Sequence, residues 1–434
     1  MRKLPGMHRV SLDRRAARSR LLSCLAAAGA VSAVNAAGVE PPPRGGAAQA
    51  AALEAVETRE REGVAIASDA NDSDLSADEE VVFFPTAAQF DPAEDAWQVP
   101  IRGIVFEPER ESLWRRALVA EIGRLLALPA DGPEAALLNA RLRLFLVDHE
   151  RGERLAVRFG GRSYAAGRSR ANGHFGQELR LKRAEAERLR KVQSAADGWL
   201  RYEAVAPPTD GRSFVGRVQL VDPRGWSIIS DIDDTIKITQ VADKREAVRN
   251  TLLRPFATVP GMAEFYQACS ARGFAFHYVS NSPWQLYEPL ADFLETAGYP
   301  AGSFDLRHFR LQNPGTIASL WGSYRDHKLA AMGRLLAAYP QRRFVLVGDS
   351  GEEDPEIYAA IAERHPGQTA AVLIRNVSGE TSDNPRMAVV AERLADVRLV
   401  LFEDPAGLAA VIQRLVETAG ASPLPTALPP APSP

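Results

Sequence analysis

One stretch constrains this chain more than any other: I-I-S-D-I-D-D-T-I-K-I, from Ile228 to Ile238. A short apolar run ends abruptly in three carboxylates and a threonine, so a buried strand delivers acids to its carboxyl end. Asp231 and Asp233 are two apart, and near a strand end both can turn toward one cleft while Ile232 faces away. Buried carboxylates are costly unless paired, so this pattern makes a poor core and a good reaction site.

The strand belongs to an alternating region. W-S-I-I-S, F-A-F-H-Y-V-S, R-F-V-L-V-G-D and A-A-V-L-I-R-N read as strands, separated by helical segments over 259–271, 283–297, 326–339 and 355–365. V-R-L-V-L-F adds one more strand and 405–419 a closing helix. Short apolar strands between helices predict an α/β fold with a doubly wound, mainly parallel, Rossmann-like sheet, whose ligands sit beyond the carboxyl ends of the strands.

A different pattern precedes it. V-V-F-F-P and V-P-I-R-G-I-V-F-E-P read as strands and 112–128 and 133–144 as helices; four further alternating runs through S-F-V-G-R-V-Q-L-V follow. These predict an N-terminal antiparallel β-rich auxiliary domain with a sandwich-like part, for packing or for recognising a target or membrane. The expected division is a signal peptide at 1–37, a disordered linker at 38–80, the auxiliary α+β domain at 81–222, the second domain at 223–419 and a disordered tail at 420–434. The leader reads as secretory: basic residues from Arg2 to Arg20, then L-L-S-C-L-A-A-A-G-A-V-S-A-V, then Asn35-Ala36-Ala37. Export to the periplasm or exterior is the expectation, with an alanine-rich leader as the alternative. No other segment reads as a membrane span. Without the leader, Cys269 is the only cysteine, so disulfides do not hold this fold. With 52 basic and 55 acidic residues among 434, no domain-wide basic field points to nucleic acid. No feature sets an oligomeric state.

Three later strand ends carry unusual groups. After F-A-F-H-Y-V come Ser280, Asn281, Ser282 and Pro283. Ser282 suits a helix cap, Pro283 its first position and Gln285 a capping box, which leaves Ser280 and nearby backbone N–H groups to meet a phosphoryl oxygen. In S-Y-R-D-H-K-L, Ser323 and Asp326 suit a cap and third helical residue. Lys328 then opposes the helix dipole unless it projects to an anion. In V-L-V-G-D-S-G-E-E-D-P-E, Asp349 ends a strand and Asp354 returns to the start of the next helix. Acids gathered with Asp231 and Asp233 repel without a cation; magnesium, with its preference for oxygen ligands beside phosphate, suits them. The lack of a cysteine and histidine cluster excludes a soft-metal site. Calcium loops fail on spacing: Asp74 stands where the 69–80 stretch needs glycine, and Ile236 where one starting at Asp231 does.

D-I-D-D-T, Ser280, Lys328 and G-D-S-G-E-E-D together resemble the four motifs of the haloacid dehalogenase superfamily of phosphatases. More narrowly, W-S-I-I-S-D-I-D-D-T-I-K, V-P-G-M, F-H-Y-V-S-N-S-P-W-Q-L-Y and L-V-G-D-S-G-E-E-D-P-E-I-Y resemble the actin-patch phosphatidate phosphatase family and its bacterial relatives. The likeness covers about 81–410 and is strongest over 215–380, with no departure in the phosphatase core. It implies that Asp231 is the nucleophile and Asp233 the general acid and base. It also implies that Thr235 steadies the motif, that Ser280 and Lys328 bind the phosphoryl group, and that Asp231, Asp349 and Asp354 organise magnesium, with the main-chain carbonyl of Asp233. Asp234 is expected to hold the loop.

The favoured reaction by this resemblance is phosphatidate to diacylglycerol and phosphate. A protein or soluble-metabolite phosphatase is the alternative, and a non-catalytic phospholipid- or protein-binding module a further one. Only 44 residues separate Thr235 from Ser280 and 47 separate Ser280 from Lys328, so no full cap domain is expected over the cleft. Lys237, Lys244, Arg245, Arg249 and Arg254, with Trp284, Tyr287 and Phe293, would suit an anionic lipid interface, or would be solvated charges and core aromatics. His277 is expected to support packing and His327 to lie beside the site or on the surface.

Overall fold

A computed structural model describes residues 73–108, 113–126, 128–129, 132–207, 210–309, 325–381 and 384–421. The leader, most of the linker, Ser323 and nearly all of the tail lie outside the described residues.

Nine strands between Glu80 and Val221 pair into one sheet: β1 (Glu80–Phe84), β2 (Thr86–Asp91), β3 (Ala96–Glu107), β4 (Asp148–His149), β5 (Arg154–Phe159), β6 (Arg162–Arg168), β7 (His174–Lys182), β8 (Trp199–Ala204) and β9 (Val215–Val221). Its path is β1-β3-β2-β9-β8-β5-β6, with β4 and β7 added on β3. β3 organises it: its start pairs β2, its end pairs β1, and β7 runs antiparallel along most of its length. Leu179, Leu181, Leu200 and Tyr202 turn inward against Val99, Ile101, Val157 and Val218, while Arg180, Lys182, Arg201 and Glu203 face water. This single sheet, curled as a half-barrel around its own core, replaces the expected sandwich-like part. Alternation tells which face of a strand is buried but not whether the opposing wall is a second sheet or the same one curled.

Two further departures concern boundaries. The ordered unit starts before Val81: Ser73 Oγ donates to the Ala156 carbonyl, Asp74 pairs with Arg154 at 2.6 Å and Leu75 is buried in the auxiliary core. The helices after β3, α1 (Leu113–Leu125) and α2 (Pro133–Leu142), contribute Ile122, Leu138 and Leu142 to the core of the second sheet. Helix α3 (Arg183–Val192) was not expected; it buries Ala186 and Leu189 in the half-barrel.

The second sheet is six-stranded: β10 (Gly225–Ser230), β11 (Ala275–Pro283), β12 (Ser303–Arg307), β13 (Arg342–Asp349), β14 (Thr369–Arg375) and β15 (Arg398–Phe402). Every pair is parallel and the order is β12-β11-β10-β13-β14-β15. Helices α4 (Lys244–Val248), α5 (Met262–Ser270), α6 (Tyr287–Thr296), α7 (Arg325–Ala338), α8 (Asp354–Arg364), α9 (Pro385–Leu394) and α10 (Leu408–Ala421) complete the unit. Along β10, Ile228 packs with α5, α6 and α10 on one face and Ile229 with α7, α8 and α9 on the other. That is the doubly wound arrangement expected, and it explains why these strands read as continuous apolar runs. The direction of winding reverses between β10 and β13, so a crevice opens at their carboxyl ends.

Trp284 joins the two units. It is 3% exposed, packs with Val82, Ile104 and Phe106 of the half-barrel, and meets the His174 ring edge-on at 5.2 Å.

Candidate active site

The crevice collects the acids. Ser230 of β10 lies opposite Val347 of β13, and the Asp231 N–H donates to the Val347 carbonyl at 2.9 Å, so Asp231 emerges beside Gly348 and Asp349. Asp354, the first residue of α8, turns back to the same point, where its Oδ2 accepts from the Asp349 N–H at 3.4 Å and from the Tyr358 hydroxyl at 3.3 Å. Gly348 permits this return, because a Cβ there would run into Asp354 Oδ2 and the Tyr358 hydroxyl.

Lys328, on the first turn of α7 and 1% exposed, lies among these acids. Its Nζ is 2.5 Å from Asp354 Oδ1, 3.1 Å from Asp231 Oδ1 and 3.6 Å from Glu352 Oε2. Burial disfavours its charge, but Asp231, Asp354 and Glu352 outweigh that and hold its pKa well above the usual lysine range. For Asp231, burial prevails over the Lys328 charge and, with repulsion from Asp354 and Glu352, pushes its carboxyl well up. Burial raises Asp349 too, reinforced by Asp354, Glu352 and Asp231.

One lysine does not satisfy this cluster. Oxygens of Asp231, Asp349 and Asp354 lie within 4.8 Å of one another. Asp231 Oδ2 and Asp349 Oδ2 are buried without a hydrogen-bond partner. Orphaned buried carboxylate oxygens in an all-oxygen donor set fit a hard divalent cation. The Asp233 carboxylate is engaged elsewhere, so the fourth expected ligand is its main-chain carbonyl, as the resemblance implies.

Asp233 sits in a polar pocket of its own. Lys237 Nζ and the Thr239 hydroxyl each approach its Oδ1 at 2.7 Å, and Ser282 Oγ donates to its Oδ2 at 2.6 Å. Burial works to raise Asp233, yet the Lys237 charge and the hydrogen bonds from Lys237, Ser282 and Thr239 leave it below the usual carboxylate value. Ser280 Oγ is 3.4 Å from the same Oδ2 and accepts from the Ser282 N–H at 3.0 Å. Thr235 is fully buried below the loop, its hydroxyl unpartnered.

Asp234 does hold the loop. It adopts φ 53°, and its carboxylate accepts from the N–H groups of Thr239, Gln240 and Val241 at 2.7–2.8 Å. His277 bonds Ser303 Oγ at 2.8 Å inside the sheet, as a packing residue does, and His327 Nε2 lies 3.6 Å from Asp305.

Three expectations are corrected. Ser282 does not cap a helix: β11 runs on through Pro283, a 3-10 turn covers Trp284–Leu286, and α6 starts only at Tyr287. A buried carboxylate is the stronger acceptor, so it takes the hydroxyl that a helix end would otherwise use. Gln285 bonds the Phe309 carbonyl instead of completing a capping box. Lys237 belongs to no lipid-facing patch, being 1% exposed, while Trp284 and Phe293 are core and Arg249 and Arg254 pair with Glu246. Lys237, Thr239, Ser282 and Glu352 were thus missed as site residues. Only Lys237 left a signal, as one of six lysines in the chain and four residues after Asp233.

Between Thr235 and Ser280 the chain forms α4, a π turn at Arg249–Leu253 and α5, with no separate cap unit. This stretch leaves a cleft beside Asp233 lined by Thr251, Asn281, Ser282, Leu286 and Glu352.

Residues 226–376 match the family model for the phosphatidate phosphatase APP1 catalytic domain, which indicates an APP1-like catalytic domain over that stretch. An uncharacterized protein of Schizosaccharomyces pombe is 33% identical over 173 residues, 39% of this chain and 28% of that protein. Phosphatidate phosphatase APP1 of Saccharomyces cerevisiae is 34% identical over 169 residues, 38% of this chain and 28% of that one. The chain thus spans 28% of the length of each of these curated relatives. Among solved structures, that of a candidate beta-phosphoglucomutase from Thermotoga maritima aligns at 15% identity and a TM-score of 0.26, over 43% of this chain and 98% of that one, a likeness too slight to argue from.

Proposed function

We propose that this chain is a magnesium-dependent phosphomonoesterase of the haloacid dehalogenase type, acting through an aspartyl-phosphate on Asp231, with phosphatidate as its favoured substrate. One observation carries the reading: Asp231, Lys328, Asp349 and Asp354 meet at the switch point of the parallel sheet, with Asp233 in a separate pocket beside them. The match to the APP1 catalytic-domain model and the name of the Saccharomyces cerevisiae relative support the substrate class.

The division of labour follows from the surroundings of the two acids. Asp231 has one oxygen beside Lys328 and one without a hydrogen-bond partner, so its two oxygens can be shared between attack on phosphorus and the cation, while the Lys328 charge attracts the phosphate. Magnesium is assigned to Asp231, Asp349 and Asp354 with the Asp233 carbonyl, and when bound would neutralise phosphate charge. As the Asp231 oxygen bonds to phosphorus, the ester oxygen departs and takes a proton from Asp233. In the free protein Asp233 favours its ionised form; a phosphoryl dianion beside it raises its affinity for that proton. Asp233 then removes a proton from the water that attacks the aspartyl-phosphate, releasing phosphate and restoring Asp231. Ser280 and Lys328 bind phosphoryl oxygens, and Thr235 steadies the strand end.

Export through the leader and action at a membrane surface belong to the same proposal. Among the described residues no helix is long and apolar enough to cross a membrane.

The test is phosphate release from phosphatidate in mixed micelles, phosphopeptides and sugar phosphates, assayed in parallel. Turnover is expected to need magnesium, stop on chelation, favour phosphatidate and vanish in a folded Asp231→Asn variant. Robust turnover by that variant would reject the nucleophile assignment, and equal turnover of all substrates would reject the lipid assignment.

A further inference from the structure

Asp233 marks where the leaving group sits, because the acid must reach the oxygen of the bond that breaks. In the cleft beside it, Ser282 is occupied by Asp233 and Glu352 lies beside Lys328. Two residues of the same lining carry a buried polar atom with no hydrogen-bond partner, Thr251 Oγ1 and Asn281 Oδ1. Thr251 is 2% exposed. A helical threonine ordinarily returns its hydroxyl to a carbonyl one turn back, but Thr251 lies within the π turn and does not.

Both residues are held through their main chains. The Thr251 carbonyl accepts from the Arg141 guanidinium of α2, which also stands 3.8 Å from the centre of the Phe256 ring. The Asn281 carbonyl accepts from Arg307 Nε at 3.0 Å. A buried, unpaired donor and acceptor on residues that line the leaving-group cleft favour a ligand able to pair with them.

We propose that Thr251 and Asn281 form a leaving-group subsite for an oxygen substituent on the carbon next to the phosphoester, so that glycerol-type phosphomonoesters are preferred over plain alkyl phosphates. A free hydroxyl donates to Asn281 Oδ1 and accepts from the Thr251 hydroxyl; an ester oxygen accepts from Thr251 alone. The inference rests on the phosphatase reading and adds to it the residues that select the alcohol.

The experiment compares hexyl phosphate, 2-hydroxyhexyl phosphate and 2-acetoxyhexyl phosphate by kcat/KM with magnesium. Each oxygenated ester is expected to exceed hexyl phosphate by about tenfold, the worth of a neutral hydrogen bond. Thr251→Val lowers both ratios, Asn281→Ala lowers only the hydroxyl ratio, and Thr251→Ser, which keeps the donor, preserves both. Melting curves show that the variants are folded. Preference for one oxygenated ester alone still supports the subsite and tells a free polyol phosphate from an acylated one. No preference in the wild type, or a preference that survives Thr251→Val, overturns it. Calorimetric affinities of the three esters for the Asp231→Asn protein separate the two readings: equal affinities reject this subsite, whereas no wild-type turnover despite unequal affinities rejects the phosphatase reading.

Discussion

Ser282 donates its hydroxyl to Asp233 at 2.6 Å, and that bond decides what the serine is for. Read along the chain, Ser-Pro before an apolar run signals a helix start; beside a buried carboxylate the same hydroxyl has a better acceptor. A hydrogen bond to a charged group contributes roughly 1.5–3 kcal/mol. Ser282→Ala is therefore expected to lower kcat about tenfold or more while Ser282→Thr retains most of it, as steady-state assays on one substrate will show. If Ser282→Ala turns over like wild type, Asp233 does not depend on this contact. Lys237 is the companion case. Its burial and its 2.7 Å contact with Asp233 remove it from any lipid-facing surface.

At the scale of the element, the turn after β10 is the part most sensitive to sequence. Asp234 sits at φ 53°, strained for a residue with a Cβ, and its side chain repays that by accepting three backbone N–H groups across the loop from Thr239 to Val241. Asp234→Ala keeps the strain and loses the acceptors, so chemical denaturation should show a loss of about 3 kcal/mol or more. Asp234→Gly loses the same acceptors but relieves the backbone, and should recover roughly 1 kcal/mol of that. A glycine variant less stable than the alanine one would contradict the strain argument. The β13 end has the complementary device, a glycine at 348 that leaves room for Asp354 to return.

At the scale of the whole molecule, two buried histidines couple stability to acidity. His277 lies inside the parallel sheet, where burial and then Arg342 bring its pKa down to about 3; at the boundary with the half-barrel, burial and then His308, His149 and Arg170 bring His174 down to about 2. Both folded-state values lie below the unfolded value near 6.5, so the unfolded chain takes up protons first. The stability from keeping these rings neutral is fully present above pH 6.5 and is lost as pH falls from there toward 3. Each adds a slope of about 1.4 kcal/mol per pH unit inside that window. Urea unfolding between pH 7 and 5 should show this decline, and His277→Gln should remove one proton of it; an unchanged slope in that variant would mean that His277 is protonated in the folded chain.

The sequence by itself determined the parts that follow from local pattern. Short apolar runs alternating with helical segments specified a doubly wound sheet, and acids at two strand ends and one helix start marked Asp231, Asp349 and Asp354 as a cluster in need of a cation. Lys328 was legible for a similar reason, since a cation at a helix start asks for an anion. Contacts between distant segments were not legible, because side-chain chemistry names what a group can bind but not what stands beside it. Only the tertiary structure decided that Ser282 serves Asp233, that Lys237 is buried, that α1 and α2 pack on the second sheet, and that the antiparallel strands curl into one half-barrel. Alternation records that a face is buried; which surface covers it depends on how the whole chain closes.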